Sequence, residues 1–267
     1  MTGAERAALV ACRLSREIAD GDVVGVGLGT PLALAAALAA RAGHAPGAHV
    51  LVAGALSPDA DVTACMGGAA ALCGRTTAFV PHVLTMEMAE RRSMTLQFLR
   101  PAEVDGRGAA NVSRLVAGDG SVRRLPGGLA TADVFRILPR VVLYHTDHRI
   151  RSLPARVGFT TGAGGGDEVT GTRGPERLIT DRAVFVLGRG ARGRATLESL
   201  HPGEVLDEVR ELTGFDFDVD PAGVATTEAP TADERVALER VDPDALRELE
   251  LRETRADAAR RLATVHG

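Results

Sequence analysis

Residues 23–42 carry the pattern that most limits what this chain can become. Val23–Val26 is a short, wholly apolar run of the kind that forms a strand buried on both faces. It passes through Gly27-Leu28-Gly29-Thr30-Pro31 into an Ala- and Leu-rich stretch, 31–42, with no charge before Arg41. Strand, glycine turn and a helix opening on proline make the first half of a βαβ unit. A chain that starts this way needs a parallel neighbour strand and a second layer of helices.

The rest of the sequence keeps that alternation. A helix is predicted over 4–19, with Ala8, Leu9, Ala11, Cys12, Leu14 and Ile18 on one side. Strands are predicted at 49–53, 77–80, 94–98, 112–115 and 140–144, and helices at 83–91 and 130–137. Residues 177–180 and 183–187 read as a hairpin across Asp181-Arg182, followed by a strand at 194–200 and a helix at 203–212. The tail, 231–262, is charged and helical, interrupted at Asp242-Pro243. The expected fold is α/β: an open, mainly parallel sheet covered by helices. It occupies residues 1–230, with a helical C-terminal extension, 231–267, packing on the domain or on a partner.

Composition removes several chemistries. All 31 basic residues among the 267 are Arg, and there is no Lys, no Trp and one Tyr, Tyr144. A Schiff base, lysine-bound pyridoxal phosphate and a Walker A loop all need a lysine from this chain. A net charge of -4 and 3% aromatic content do not suit a nucleic-acid surface. Cys12, Cys65 and Cys73 lack metal-ligand spacing, and three sparse cysteines fit a reducing compartment. Glu5, Arg6, Arg13 and Arg16 interrupt the stretch a signal peptide would keep apolar. No apolar run is long enough to span a bilayer. A cytoplasmic location is expected.

Local motifs alone assign no reaction. Gly27-x-Gly29 could present backbone amides to an anion, but the third glycine of a dinucleotide fingerprint is replaced by Leu32-Ala33-Leu34. A tight structural turn is the simpler reading. His145-x-x-His148 with Asp147 is one residue short of the helical ligand pair and reads as a loop or edge-strand cluster; no metal is expected. Gly162–Gly166 lacks the lysine and hydroxyl of a phosphate loop, and no G-x-S-x-G elbow is present.

Four segments together, in order and spacing, resemble the β subunit of class I CoA-transferases. They are Val26-Gly27-Leu28-Gly29-Thr30-Pro31; Glu103-Val104-Asp105-Gly106-Arg107-Gly108-Ala109-Ala110-Asn111; Gly171-Thr172-Arg173-Gly174-Pro175 running to Ile179–Phe185; and Leu200-His201-Pro202-Gly203 running to Val209 and Thr213-Gly214-Phe215. The tail segments 230–234 and 241–247 resemble, within that superfamily, the β subunits of actinobacterial steroid ring-opening CoA-thioester hydrolases. The resemblance spans about residues 5–255. It implies an α subunit on a separate chain (αβ or α2β2), an acyl-CoA substrate, and no permanently bound cofactor beyond coenzyme A as part of that substrate.

In the transferases that this chain resembles, a β-subunit glutamate at a strand end attacks the thioester. The matching segment here is Leu51-Val52-Ala53-Gly54-Ala55-Leu56, with Val52 at the glutamate's place. A second departure is Leu129-Ala130 after Gly127-Gly128, where the family carries paired glycines. Asp59 and Asp61 follow Val52 too far along the chain to replace the carboxylate, and Glu87 and Glu90 are the remaining candidates to face the site. The resemblance therefore implies an acyl pocket shaped by Gly27, Gly29, Thr30, Val52, Gly54, Ala55, Gly127, Gly128, Leu129 and Ala130. The acid or base would be a glutamate of the α subunit. The leading expectation is carbon–carbon bond hydrolysis or related enolate chemistry on an acyl-CoA. The alternatives are CoA transfer between carboxylic acids and a non-catalytic scaffold that stabilises the α chain.

Overall fold

The computed structural model describes residues 1–27, 29–165, 174–188 and 193–266. Thr2 opens the first helix, α1 (Gly3–Ser15): its hydroxyl accepts the Glu5 amide while the Glu5 carboxylate accepts the Thr2 amide, a reciprocal cap. The apolar run becomes β1 (Val23–Val26), and the stretch after it becomes α2 (Pro31–Ala42), on the predicted residues. Residues Pro31–Ala40 of α2 are all buried, as an all-round apolar helix requires.

β2 (His49–Val52) lies parallel to β1, with Val26 opposite Val52. β3 (Ala55–Leu56) folds back antiparallel on β2. The short helices α3 (Val62–Met66) and α4 (Gly68–Ala71) lead to β4 (Ala78–Phe79), antiparallel to β3. Helix α5 (His82–Glu90) precedes β5 (Leu96–Leu99), which pairs parallel with β1 on its other side. β1 is thus central. Its Gly25 leaves room for two long side chains: a Cβ would sit 2.1 Å from the Met94 methyl and 2.2 Å from the Gln97 side-chain amide oxygen, both of which would have to shift.

From residue 99 a second unit begins. Two small hairpins, β6 (Glu103–Val104) with β7 (Ala110–Asn111) and β8 (Arg114–Val116) with β9 (Val122–Arg124), precede α6 (Thr131–Ile137). β10 (Arg140–His145) pairs parallel with β11 (Pro175–Thr180), which pairs antiparallel with β12 (Ala183–Val186), and β12 with β13 (Ala195–Leu200). After α7 (Leu206–Leu212), β14 (Phe217–Asp218) and β15 (Ala225–Thr226) both join β13 in parallel. Tyr144, Phe135 and Phe185 fill the interior, and Phe185 meets Phe215 and Phe217 edge-on at 5.8 and 5.2 Å.

The tail returns to the first unit. α8 (Ala232–Val241) packs on α1 and α2, and the Arg16 guanidinium grips the Glu234 carboxylate at 2.6 and 2.8 Å. The helix stops at Asp242-Pro243. A 3-10 turn, Leu246–Glu250, packs on α2 before α9 (Arg255–His266). Residues Met1–Phe98 and Ala229–Gly267 make one compact unit and Leu99–Glu228 the other. The sequence suggested a boundary only near 230; no Gly-, Pro- or Ser-rich linker marks the one at 99. The α/β class, with parallel strands at the centre and helices over them, is as expected.

Candidate functional site

Ligands of open α/β sheets bind beyond the carboxyl ends of parallel strands. Because Val26 pairs with Val52, Gly27 and Ala53 leave the sheet side by side at that edge. Gly27, Gly29 and Thr30 are therefore brought together with Val52, Gly54 and Ala55 in the first unit.

The Gly27–Pro31 turn is closed from within. Gly29 has φ 70°, a left-handed conformation that suits glycine, and the Thr30 hydroxyl donates to the Gly27 carbonyl at 2.6 Å. Thr30 therefore gives α2 no side-chain cap, and Pro31 has no N–H to cap. The Leu32 amide instead donates to the buried carboxylate of Glu250 at 2.8 Å. A donor of this helix start is thus already matched to an anion of the chain itself. The tight-turn reading accounts for the motif. Glu250 was not among the sequence candidates; the visible signal was a helix that starts on proline with no Asp, Asn or Ser beside it.

Val52 is 4% exposed at the end of β2. Ala53 (φ 51°) and Gly54 (φ 80°) then form a two-residue hairpin turn with both central residues left-handed, so position 52 has a fixed place. Asp59 and Asp61 lie at the other end of the strand. The Ser57 amide donates to the Val50 carbonyl at 2.7 Å, and the Ser57 hydroxyl meets the ring of His49, the first residue of β2, at 2.9 Å. Three residues of strand separate His49 from Val52, about 10 Å. Asp61 is also committed to capping α3 through the Ala64 amide. Glu87 pairs with Arg91 at 2.5 Å on the accessible side of α5, where Ala89 is the buried residue, and Glu90 is exposed. Both acidic candidates of α5 are surface groups in this chain.

Gly127–Ala130 belong to the second unit, before α6. Gly127 has φ 105°, and a Cβ on Gly128 would meet the Thr161 methyl at 2.5 Å. Leu129 has φ 43° and is 90% exposed. The backbone keeps a glycine-type conformation where a leucine stands, which costs about 1–2 kcal/mol in an L-residue. Leu129→Gly should therefore be neutral or stabilising by up to about 1 kcal/mol, since relief of strain outweighs the added unfolded-state entropy. Urea unfolding checks it, and a clear loss of stability would contradict it.

The other motifs are structural. Asp105 accepts the amides of Arg107 and Ala109 at 3.0 and 3.1 Å, and the fully buried Asn111 bridges Glu103 and the Arg114 carbonyl, both at 2.7 Å. His145 and His148 are buried, not at an edge. The Asp147 amide donates to His145 Nδ1, and His148 lies between the Thr180 and Thr213 hydroxyls at 2.8 Å each. Burial lowers both imidazoles to about 3. Asp147 pairs with Arg149 and Arg151. Among the described residues, no group of three His, Cys, Asp or Glu side chains is placed to hold a metal ion. Burial pushes the Cys12 and Cys65 thiols up to about 11, away from nucleophilic use. No helix is long and apolar enough to cross a membrane among the described residues. Leu28, Gly166 and the 171–173 part of the third motif fall outside them.

No protein-family model and no curated protein sequence matches the chain. Solved structures do. The decarboxylase AibA/AibB has a chain 31% identical to this one, with 92% of this chain and 98% of that chain covered and a TM-score of 0.80. IpdAB of Rhodococcus jostii RHA1 is 20% identical over 94% and 98% of the two chains, TM-score 0.76. Glutaconate coenzyme A-transferase of Acidaminococcus fermentans is 21% identical over 90% and 94%, TM-score 0.75. The last two share the fold.

Proposed function

The chain belongs to the class I CoA-transferase family, and from that premise we propose that it is the β-type subunit of a heteromer that breaks a carbon–carbon bond in an acyl-CoA thioester, by hydrolysis or through decarboxylation to an enolate. The observation that carries the reading is Val52, an apolar, buried side chain at the end of β2; the motif resemblance matches that position to the transferases' nucleophilic glutamate. Valine cannot form the acyl anhydride that CoA transfer requires. The 31% identity to a chain of a decarboxylase points the same way.

Each version of the chemistry leaves an electron pair on the carbon next to the thioester carbonyl, which delocalises onto its oxygen. That charge needs donors held in advance and an acid to return a proton. In this reading the Gly27–Thr30 and Val52–Ala55 turns wall the acyl group, and a glutamate of the partner chain supplies the acid or base. Coenzyme A enters as part of the substrate, and any phosphate contact from this chain is made by arginine or backbone amide, there being no lysine.

The test is the chain co-expressed with its partner subunit and incubated with cyclic, β-oxo and carboxy-substituted acyl-CoAs, read by mass spectrometry. Product that keeps CoA and has gained water or lost carbon dioxide is expected, with no inactivation by hydroxylamine. CoA appearing on an added acid, together with hydroxylamine inactivation, would establish transfer instead. Full turnover by the partner alone would make this chain a scaffold.

A further inference from the structure

The last forty residues close on the start of α2. Pro31 offers no N–H and the Thr30 hydroxyl is engaged by Gly27, so the first α2 amide with a proton to place is that of Leu32, a fully buried residue. Glu250, 218 positions further on and 4% exposed, accepts it at 2.8 Å. The segment that delivers this carboxylate is over-determined. Asp242 accepts the Leu246 and Arg247 amides at 2.7 and 3.1 Å and the Arg247 guanidinium at 2.8 Å. Arg255 donates to the Leu249 and Glu250 carbonyls, and Arg261 ties Glu248 to the Asp244 and Ala245 carbonyls. Leu246 and Leu251, on either side of the turn, are buried. The charged tail is a strap in which the Asp242, Glu248 and Glu250 carboxylates are all buried, and Glu250 is the one that meets α2.

We infer that Glu250 is a positioning residue: it fixes the N-terminus of α2, and through it the Gly27–Pro31 turn that walls the acyl pocket. This rests on the proposed function for its catalytic consequence. A helix start favours an anion, and a charged acceptor is the strongest partner a buried amide can have. The Thr30–Gly27 hydrogen bond closes the turn internally, and Glu250 anchors the helix start that follows it to the rest of the unit. A displacement of about 1 Å in such a wall costs on the order of a hundredfold in rate.

The test compares wild type with Glu250→Ala, Glu250→Gln and Glu250→Asp, each full-length and assembled with the partner subunit. Two readouts are used: amide hydrogen exchange over residues 27–38, and kcat and KM on the acyl-CoA the wild type turns over. Glu250→Ala is expected to exchange at least about tenfold faster there and to lose about ten- to a hundredfold in kcat, with KM within about threefold. Glu250→Gln keeps an oxygen acceptor and should recover most of both. Glu250→Asp withdraws the carboxylate by one methylene in a chain that still folds, and should keep the kcat loss. Unchanged exchange in the alanine and aspartate variants, or kcat per folded complex within about twofold of wild type, would overturn the proposal. A wild-type complex inactive on every acyl-CoA would remove the functional reading, while the exchange comparison would still decide whether Glu250 holds the turn.

Discussion

Acidification from pH 6.5 to 5 is expected to cost the second unit about 3 kcal/mol of stability, because two buried histidines cannot accept protons while folded. Burial is the main cause for both. For His145 the Arg100 and Arg151 charges add to it and Asp147 opposes it; for His148, Arg182, His145 and His201 add to it. For His145 the geometry agrees: its Nδ1 accepts the Asp147 amide and would lose that bond on protonation. At His148 both neighbouring hydroxyls lie against carbonyls of their own, Thr213 against Val209 at 2.6 Å and Thr180 against Ala183 at 3.0 Å, so burial is what favours the neutral ring there.

The sign follows from folded values of about 3 against about 6.5 in the unfolded chain. The unfolded state binds more protons below pH 6.5, so stability is intact above that value and falls as pH drops toward 3. Each histidine contributes about 1.4 kcal/mol per pH unit in that window. Tyr144 is the only tyrosine, the chain has no tryptophan, and its ring is buried in the strand that carries His145, so its fluorescence reports on this unit. Urea midpoints at pH 8, 7, 6 and 5 measure the slope. His148→Gln should be weaker at pH 8 but should lose about half of the slope. Equal stability at pH 7 and 5 would refute the assignment.

These histidines show where sequence reading stops. Their spacing was visible; their burial was not, because burial follows from β11 and α7 closing over residues 32 and 65 positions away. The β1–turn–α2 unit was legible to the residue, since a local apolar run, glycines and a proline determine it. Ala53-Gly54 was not legible as a left-handed hairpin, because that turn is usually announced by Asn-Gly or Asp-Gly. The division at 99 was hidden because it depends on the tail returning to α1 and α2, a contact no local pattern encodes. Glu250 was hidden for the same reason: Arg247-Glu248-Leu249-Glu250 has the composition of a solvated face, yet in the 3-10 turn after left-handed Ala245 both of its carboxylates are buried.

Placing a glutamate at position 52 should damage the chain rather than convert it. Val52→Glu places a carboxylate on a position that is 4% exposed, between Val26 of β1 and the Ala53-Gly54 turn. Val52→Gln is the control of equal shape without charge, so the difference between the two isolates ionisation. Burial without a matched donor set raises a carboxyl by about two units, which makes the glutamate variant about 3 kcal/mol less stable than the glutamine variant at pH 8. A raised folded value means that the folded state holds the proton more tightly. The deficit therefore shrinks as pH falls below that value and vanishes near pH 4.3, where the unfolded chain is also protonated. Taking the difference between two variants removes the histidine contribution common to both. A transferase site must behave in the opposite way, since its nucleophile has to be ionised at neutral pH and be met by donors already in place. If Val52→Glu matches Val52→Gln at pH 8 and becomes sensitive to hydroxylamine in the presence of acyl-CoA, the strand end has kept the surroundings of a working glutamate. Carbon–carbon bond cleavage would then lose its main support. A pH-dependent deficit without a trapped adduct means that the surroundings have changed along with the residue, as an apolar wall for the acyl group requires.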